Sequence, residues 1–596
     1  MYCRRLESIV RSTLEHAETR KVLPLKMYCL PPVLATIGRV GRSAAGRAAA
    51  LGAALAAIVL PGCSAAPAAS ETQDAQELAS LAPDALRQRL QTIFGLRPLA
   101  QEPIPQPVGG HILDNAAAIR LGKAFFWDIQ AGSDGQVACA VCHASFGSDA
   151  RRINTLNPGL DGVFASGGVT GPGQRYSPVL ITNDDIVGVQ GVARATFVAI
   201  DPDPHVAKEH CDAVVDPIYG TERRIEFRQA PMIYGAAFLR QLFWAGEASD
   251  EFNGVTIWGF TGNSTASPIT HVLNNALASQ AVGPPSNSIE MRCVGRPLNG
   301  DTNSLAAKML ARPPLQFQRV SPTDSVLGAL ANPRGPGLVC NGAPCTYLGM
   351  IEQAFGPRLA SLAPTVFTVL WGEAIAAYER TLIPDQTPFD RFFNGHLTAL
   401  TPSQIAGLVT FVGRGNCATC HAGAMLSDAT VSFFQDHGAV NRDGGDQGFH
   451  NIGLANSDFD FGRGDFGPGG VSFTVSQSPF DDFAFKTPTL RNVKLTAPYF
   501  HTGSNPTLED VVDFYDRGGD FANPQRSADV HALHLTRFEK AALVDFMKNA
   551  LTDCRVEKHK APFDHPELPV PNGTSLPAVG AQGIGSCDAH HGGYLD

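Results

Sequence analysis

The pattern Cys-x-x-Cys-His occurs twice in this chain, and it constrains the fold more than any other feature. The first copy ends at His143 and the second at His421. Two cysteines at this spacing, followed at once by histidine, form the attachment signature of a c-type haem. The histidine then lies below the iron as its ligand. Two copies predict two covalent haems, attached through Cys139, Cys142, Cys417 and Cys420.

The rest of the chain favours helices over strands. Apolar residues recur at helical spacing over 75–93, 365–382 and 402–412, and convincing strand alternation is rare. Sixty glycines and forty-three prolines exceed the usual share and indicate long ordered loops. We therefore predict a mainly α fold with two cytochrome c-like haem domains, long loops and insertions.

The N-terminus has the order of an export signal. Three arginines between 39 and 47 precede an apolar run over 48–60, which is too short to span a bilayer. The Leu60-Pro-Gly-Cys63 sequence that follows resembles a bacterial lipoprotein box, with Cys63 as the lipidated residue. The prediction is a periplasmic protein with a candidate lipid anchor to the membrane.

Five segments follow from these features. They are a signal over 1–63, a tether and N-terminal helix over 64–110, a first haem domain over 111–345, a second haem domain over 346–555, and a tail over 556–596.

Charge and cysteine content narrow the class of protein further. The net charge is −10 and no Lys/Arg run follows the signal, which argues against a nucleic-acid partner. Six cysteines remain outside the haem motifs and the signal region, and an even number in an exported protein predicts disulfides. Cys340 and Cys345 are close enough to pair locally; the other pairings stay open.

One helix carries a tyrosine of special interest. Thr507 and Asp510 predict a helix start near a capping-box arrangement, and two glycines from Gly518 end it. Leu508 and Tyr515 then share one face, which turns Tyr515 into the second haem domain. Tyr515 is therefore either a core tyrosine with a hydrogen-bonded hydroxyl or a ligand.

The chain resembles the bacterial di-haem cytochrome c peroxidase / MauG family. The resemblance covers roughly residues 110–555. It is carried, in family order, by 121–123, Phe126, both haem motifs, Pro231, Trp244, Gln280, Pro284, Glu290, 389–391, 450–453, 485–492, 497–501 and 511–515.

The resemblance implies roles at the second haem. His143 and His421 would be the proximal ligands of the two irons. Counted from His501, Tyr515 stands where peroxidase members carry a distal methionine, and the MauG-type branch has tyrosine there. Such a ligand should lower the reduction potential of the second haem. Met547 is interpreted as a core residue.

At the first haem the resemblance implies a distal pocket with Gln280, Pro284 and Glu290. Glu290 would be the general acid/base that moves a proton between peroxide oxygens. Resting peroxidases often block this haem with a histidine that the region 157–168 lacks. We interpret His205, His210 and His271 as surface or core residues, and expect an open, five-coordinate first haem.

Two further roles come from the same resemblance. Trp244 matches a tryptophan between the haems and would shorten the electron-transfer gap. Thr496 and Pro498 match carbonyl ligands of a calcium ion, but Gln229 replaces the family's asparagine, which weakens that expectation. Insertions fall at 145–228, 245–275 and 300–345 and flank the first pocket.

The leading interpretation is a peroxidase that takes electrons from a small cytochrome c or cupredoxin and reduces hydrogen peroxide. One alternative is MauG-like oxidation of a protein or organic substrate through high-valent haems. The others are a rubber-oxygenase-like dioxygenase and a non-enzymatic electron-transfer cytochrome.

Overall fold

The computed structural model describes residues 77–261, 266–267, 269–456, 460–465 and 473–587. The predicted signal, Cys63 and most of the tether lie outside these residues. Among the helices in the described ranges, none is both long and apolar enough to cross a bilayer.

Helices dominate the architecture, as predicted. They are α1 Pro83–Phe94, α2 Asn115–Trp127, α3 Cys139–Cys142, α4 Ala276–Ala281, α5 Leu305–Leu310, α6 Tyr347–Ser361, α7 Ala363–Glu379, α8 Pro388–Phe393, α9 Pro402–Val412, α10 Val431–His437, α11 Leu508–Asp516, α12 Arg537–Asp545 and α13 Cys554–Glu557. A π-helical turn, Phe546–Ala550, continues α12.

The strands are short and pair only as antiparallel two-stranded sheets in the part of the chain that the structure describes. The pairs are β1 Leu156–Asn157 with β2 Ile186–Val187, β3 Gln190–Ala193 with β6 Arg223–Ile225, β4 Ala195–Ala199 with β5 His210–Ala213, β7 Val339–Cys340 with β8 Ala343–Pro344, and β9 Phe449–His450 with β10 Phe485–Lys486.

A first core forms where α2 packs against α6 and α7. Phe125 stacks on Tyr347, with ring centroids 4.7 Å apart, and also contacts Trp371 at 4.7 Å. Gly122 permits the closest approach of α2 to α7, because a Cβ there would lie 1.9 Å from the Ala374 carbonyl oxygen. This helix pair supports the segment that enters the first haem motif.

A second core surrounds α9 and α12. Capping boxes begin both helices, through Thr401 with Gln404 and through Thr536 with Glu539. Gly407 lets the helices meet, since a Cβ there would lie 2.1 Å from the Ala542 carbonyl oxygen. The helix α9 then leads directly into the second haem motif.

The N-terminal helix α1 belongs to the second core, and the C-terminal segment packs on the first. The buried Leu86 and Leu90 of α1 belong to the second core. The segment after 556, predicted as a tail, packs on the first core: Lys123 Nζ donates to the Asp564 carbonyl at 2.9 Å, and His565 stacks on Trp127 at 5.0 Å.

Within the described ranges, three disulfides secure the loops. Cys340–Cys345 closes a local hairpin as predicted. Cys554–Cys587 holds the C-terminal segment, and Cys211–Cys293 ties the first insertion to the chain just beyond Glu290. Sequence reasoning left the last two pairings open, because they depend on contacts between distant segments.

Candidate functional site

The first haem motif lines a cavity of about 360 Å³. The short helix α3 carries both cysteines, and the next residue, His143, leaves the helix. The Nδ1–H of His143 donates to the Gly147 carbonyl at 3.0 Å. That bond fixes the ring and leaves Nε2 as the nitrogen available to a metal. Burial lowers the pKa of His143, which favours the neutral imidazole that a metal requires.

The second haem motif lines a smaller cavity of about 160 Å³. A 3₁₀ turn, Cys417–Thr419, replaces the helix of the first site. The Nδ1–H of His421 donates to the Leu426 carbonyl at 2.9 Å, so Nε2 is again the free nitrogen. The two motifs therefore present the same histidine arrangement to two different cavities.

The residues of both motifs fit covalently held haem. The four motif cysteines take no part in disulfides, whereas the other cysteines in the described ranges form them. Burial raises the pKa of Cys142 and of Cys417 to about 12, so these thiols are neutral. Each pair lines a cavity beside a histidine whose Nε2 is available, which is the donor set that a c-type haem requires.

The structure brings the predicted distal residues together in the first cavity. Gln280 lies on α4, Pro284 starts a 3₁₀ turn, and Glu290 follows that turn; all three line the cavity. Burial, aided by the neighbouring Glu226, raises the pKa of Glu290 to about 8. A carboxyl group with that pKa can hold or release a proton near neutral pH.

Three further carboxylates in this cavity were not predicted from the sequence: Glu226, Glu247 and Glu379. Burial raises the pKa of Glu379 to about 8 and raises that of Glu247. Glu226 lies at the end of the first insertion, five residues before Pro231, where the resemblance to the family resumes. Position next to that segment was the only signal, and sequence spacing does not show which way the side chain points.

The predicted histidine alternatives lie elsewhere. His205 contacts Gln316, His210 pairs with Asp201 at 3.0 Å, and His271 pairs with Glu251 at 3.0 Å. Among the described residues, His143 is the only histidine that lines the first cavity. That the first site is unblocked stays a prediction.

Trp244 lines both cavities. Its indole Nε1–H donates to the Gln229 carbonyl at 2.7 Å, and its own carbonyl accepts from the Lys486 backbone at 2.7 Å. The buried Lys486 also lines both cavities, and burial lowers its pKa to about 8. The two residues thus form the shared wall between the sites.

In the second cavity, the structure places Tyr515 beside the haem motif. The predicted capping box of Thr507 and Asp510 begins α11, and Leu508 and Tyr515 both face the cavity. Met547, interpreted as a core residue, is buried in the second core and also lines this cavity.

The predicted calcium ligands are not gathered around a carboxylate cluster. Gln229 uses its side chain locally, because its amide donates to the Asp149 carbonyl at 2.8 Å and its Oε1 accepts from Ala230 N–H. Thr496 turns its hydroxyl to the Val493 carbonyl at 3.2 Å, and Pro498 follows a cis peptide bond. Over the described ranges, no group of three or more His, Cys, Asp or Glu residues could hold a metal.

Comparison with known proteins shows a likeness to one family. The family model described as di-haem cytochrome c peroxidase matches residues 116–398. Over this range the chain is similar to the di-haem cytochrome c peroxidase and MauG family. The mainly α architecture is consistent with that family, whose description implies two haem cofactors.

Several curated proteins are similar to this chain. Cytochrome-c peroxidase IdrP1 of a Pseudomonas species is 33% identical over 212 residues, covering 33% of this chain and 54% of the relative. Methylamine utilization protein MauG of Methylorubrum extorquens is 30% identical over 223 residues, which cover 37% of this chain and 52% of that protein. Cytochrome c peroxidase Ccp of Escherichia coli is 26% identical over 414 residues, which cover 69% of this chain and 55% of that protein. The chain spans about half the length of these relatives.

Solved structures show weaker likeness. A MauG-like protein associated with microbial copper homeostasis has a TM-score of 0.42 and 19% identity, covering 78% of this chain and 95% of that protein.

Proposed function

We propose that this protein is a di-haem oxidoreductase that reduces hydrogen peroxide at the first site with electrons relayed from the second. One observation carries the proposal: Glu290, Gln280 and His143 line one cavity, which shares Trp244 with the cavity of the second haem motif. Names of the relatives, which include cytochrome c peroxidases, support it.

The haems, held through the four motif cysteines with His143 and His421 below the irons, would supply the electron storage that side chains lack. In the first cavity Glu290 accepts a proton from one peroxide oxygen and donates it to the other. Gln280 and Pro284 shape the pocket around the peroxide. Trp244 spans the wall between the sites and shortens the path for electrons that a small cytochrome c or cupredoxin delivers.

Anaerobic titration of the fully reduced protein with hydrogen peroxide tests this function. The expected result is oxidation of two haems per peroxide. The change in the Soret absorption band measures this oxidation. Oxygen consumption with an organic substrate and no response to peroxide would instead support the dioxygenase alternative. Two six-coordinate haems that react with neither would support an electron-transfer cytochrome.

The position of Tyr515 favours a second candidate function, MauG-like oxidation of a protein or organic substrate. Tyr515 lines the second cavity with Cys417, Cys420 and His421, so its oxygen is a candidate distal ligand. A phenolate ligand stabilises oxidised iron, which suits a protein that oxidises a substrate. The test is reaction of the oxidised protein with peroxide alone: a long-lived product spectrum without reductant favours this function.

Calcium remains a secondary part of the proposal, with the Thr496 and Pro498 carbonyls as candidate ligands. Its test is metal analysis of the purified protein before and after a calcium chelator. A bound calcium lost together with a change in the haem spectra would support the site, and calcium-free protein with unchanged spectra would exclude it.

For localisation we propose the periplasmic side of the membrane, with Cys63 as the lipid attachment residue. Cell fractionation of the full chain and of Cys63→Ser tests this. The wild type should sediment with membranes and the variant should be released; equal distribution would contradict the anchor.

A further inference from the structure

The first insertion supplies a second carboxyl group to the first cavity. Glu226 comes directly after β6, and its backbone N–H donates to the Val189 carbonyl at 2.9 Å. Glu226 and Glu290 line the same cavity. The Asn287 amide donates to Glu226 Oε1 at 2.8 Å, so the insertion is linked to the loop that carries Glu290.

The paired strands β3 and β6 also hold the backbone of the loop that carries Glu290. Val192 N–H donates to the Ile289 carbonyl at 2.8 Å, and the Arg224 guanidinium donates to the Ser288 carbonyl. Gly191 permits this contact, because a Cβ there would lie 1.9 Å from the Ile289 carbonyl oxygen.

A covalent bond fixes the same junction from the other side. Cys211 of β5 is joined to Cys293, three residues beyond Glu290. The two carboxyl groups are therefore held in one rigid frame by backbone hydrogen bonds, a side-chain bridge and a disulfide. A solvated loop carboxylate would not need such a frame.

We propose that Glu226 and Glu290 form a carboxyl pair that shares one proton, with Glu226 acting as the residue that positions and tunes Glu290. This inference rests on the proposed peroxide reduction at the first site. It assigns a chemical purpose to the first insertion, which would otherwise be only an enlargement of the domain.

The chemistry of peroxide reduction explains why a pair is useful. Cleaving the O–O bond of hydrogen peroxide consumes two electrons and two protons and releases two waters. The donor protein is oxidised and supplies the electrons. Glu290 moves a proton from one peroxide oxygen to the leaving one, which departs as the first water. The second water takes one proton from the carboxyl pair and one from solvent, and solvent then reprotonates the pair.

Electrostatics near the pair are consistent with a shared proton. Burial raises the pKa of both carboxyls, and the proximity of Glu226 raises that of Glu290 further. Two like charges in a buried site oppose full ionisation, so one carboxyl retains a proton.

Other charged and titratable groups face the pair. Arg224, Tyr219, Cys139 and Cys142 interact with it electrostatically. Across the cavity lie His143, Arg228, Glu247, Glu379 and Lys486. Of these, Arg224 favours ionisation of Glu226, but burial outweighs it in raising the pKa.

The test measures cyanide binding to the oxidised holoprotein between pH 5 and 9, by Soret absorption. Hydrogen cyanide must lose a proton when it binds, and a distal carboxylate accepts it. Glu226→Gln removes the charge that raises the pKa of Glu290, so Glu290 becomes ionised at lower pH. The rise in cyanide affinity should therefore move to lower pH by about one unit. Glu226→Asp, which keeps the charge, should stay close to the wild type.

The matched control is Glu222→Gln, an exposed carboxylate of the same insertion that does not line the cavity. An identical pH dependence in Glu226→Gln and wild type would overturn the proposal, as would an equal shift in Glu222→Gln. Peroxide reduction by the same samples separates the two proposals: a cyanide shift without peroxide turnover leaves the pair standing and removes the proposed function.

Discussion

The two cavities share one attachment motif but differ in what completes them. Each presents a histidine whose Nδ1–H donates to a backbone carbonyl. The first cavity is about 360 Å³ and contains Glu290, whereas the second is about 160 Å³ and contains Tyr515 and Met547. The same motif therefore opens onto two different cavities, and segments distant in sequence supply the residues that distinguish them.

The largest expected effect comes from removing the acid/base group of the first cavity. Glu290→Gln should lower kcat/KM for peroxide by about 10²–10⁴-fold, because no carboxyl group then transfers the proton between the peroxide oxygens. Steady-state peroxide reduction with a reduced donor measures it. Glu251→Gln, which alters an exposed carboxylate paired with His271, is the control. Equal loss in both variants would contradict a specific role.

The next effect tests the second cavity. Tyr515→Phe should raise the reduction potential of the second haem by on the order of 100 mV, because an oxygen donor that stabilises the oxidised state is removed. Spectroelectrochemical titration measures the potential. Tyr499→Phe makes the same chemical change in the same cavity and should leave the potential unchanged. If the two variants behave alike, Tyr515 is a core residue.

A smaller effect compares the two cores. Gly122→Ala and Gly407→Ala should each destabilise the protein by about 1–3 kcal/mol, since a Cβ would press on a carbonyl oxygen of the neighbouring helix. Chemical denaturation followed by circular dichroism measures the free energy of unfolding. Gly171→Ala, where the added Cβ would meet only the Gln174 side chain at 3.8 Å, should change it little. No loss in the first two variants would mean that the helices can separate cheaply.

Local patterns predicted the elements around the second site well. The capping box of α11 and its inward face depend on residues within one helix, and the structure has them. The Cys340–Cys345 disulfide is likewise local.

Long-range packing could not be predicted. The Cys211–Cys293 and Cys554–Cys587 pairings depend on how the insertions fold, and so does the presence of Glu226 in the first cavity. The packing of His565 on Trp127 joins segments far apart in the chain. Only the folded structure shows such contacts, because no local periodicity encodes them.

The asymmetry between the two cavities is tested most directly by cyanide titration of the oxidised protein with electron paramagnetic resonance detection. We predict that one cyanide binds per two haems, at the first site. The high-spin signal of that haem should be converted, and the signal of the second haem should not change. We also predict that Tyr515→Phe allows a second cyanide to bind. Binding of two equivalents to the wild type, or of none, would contradict the assignment of an open first site and a ligated second site.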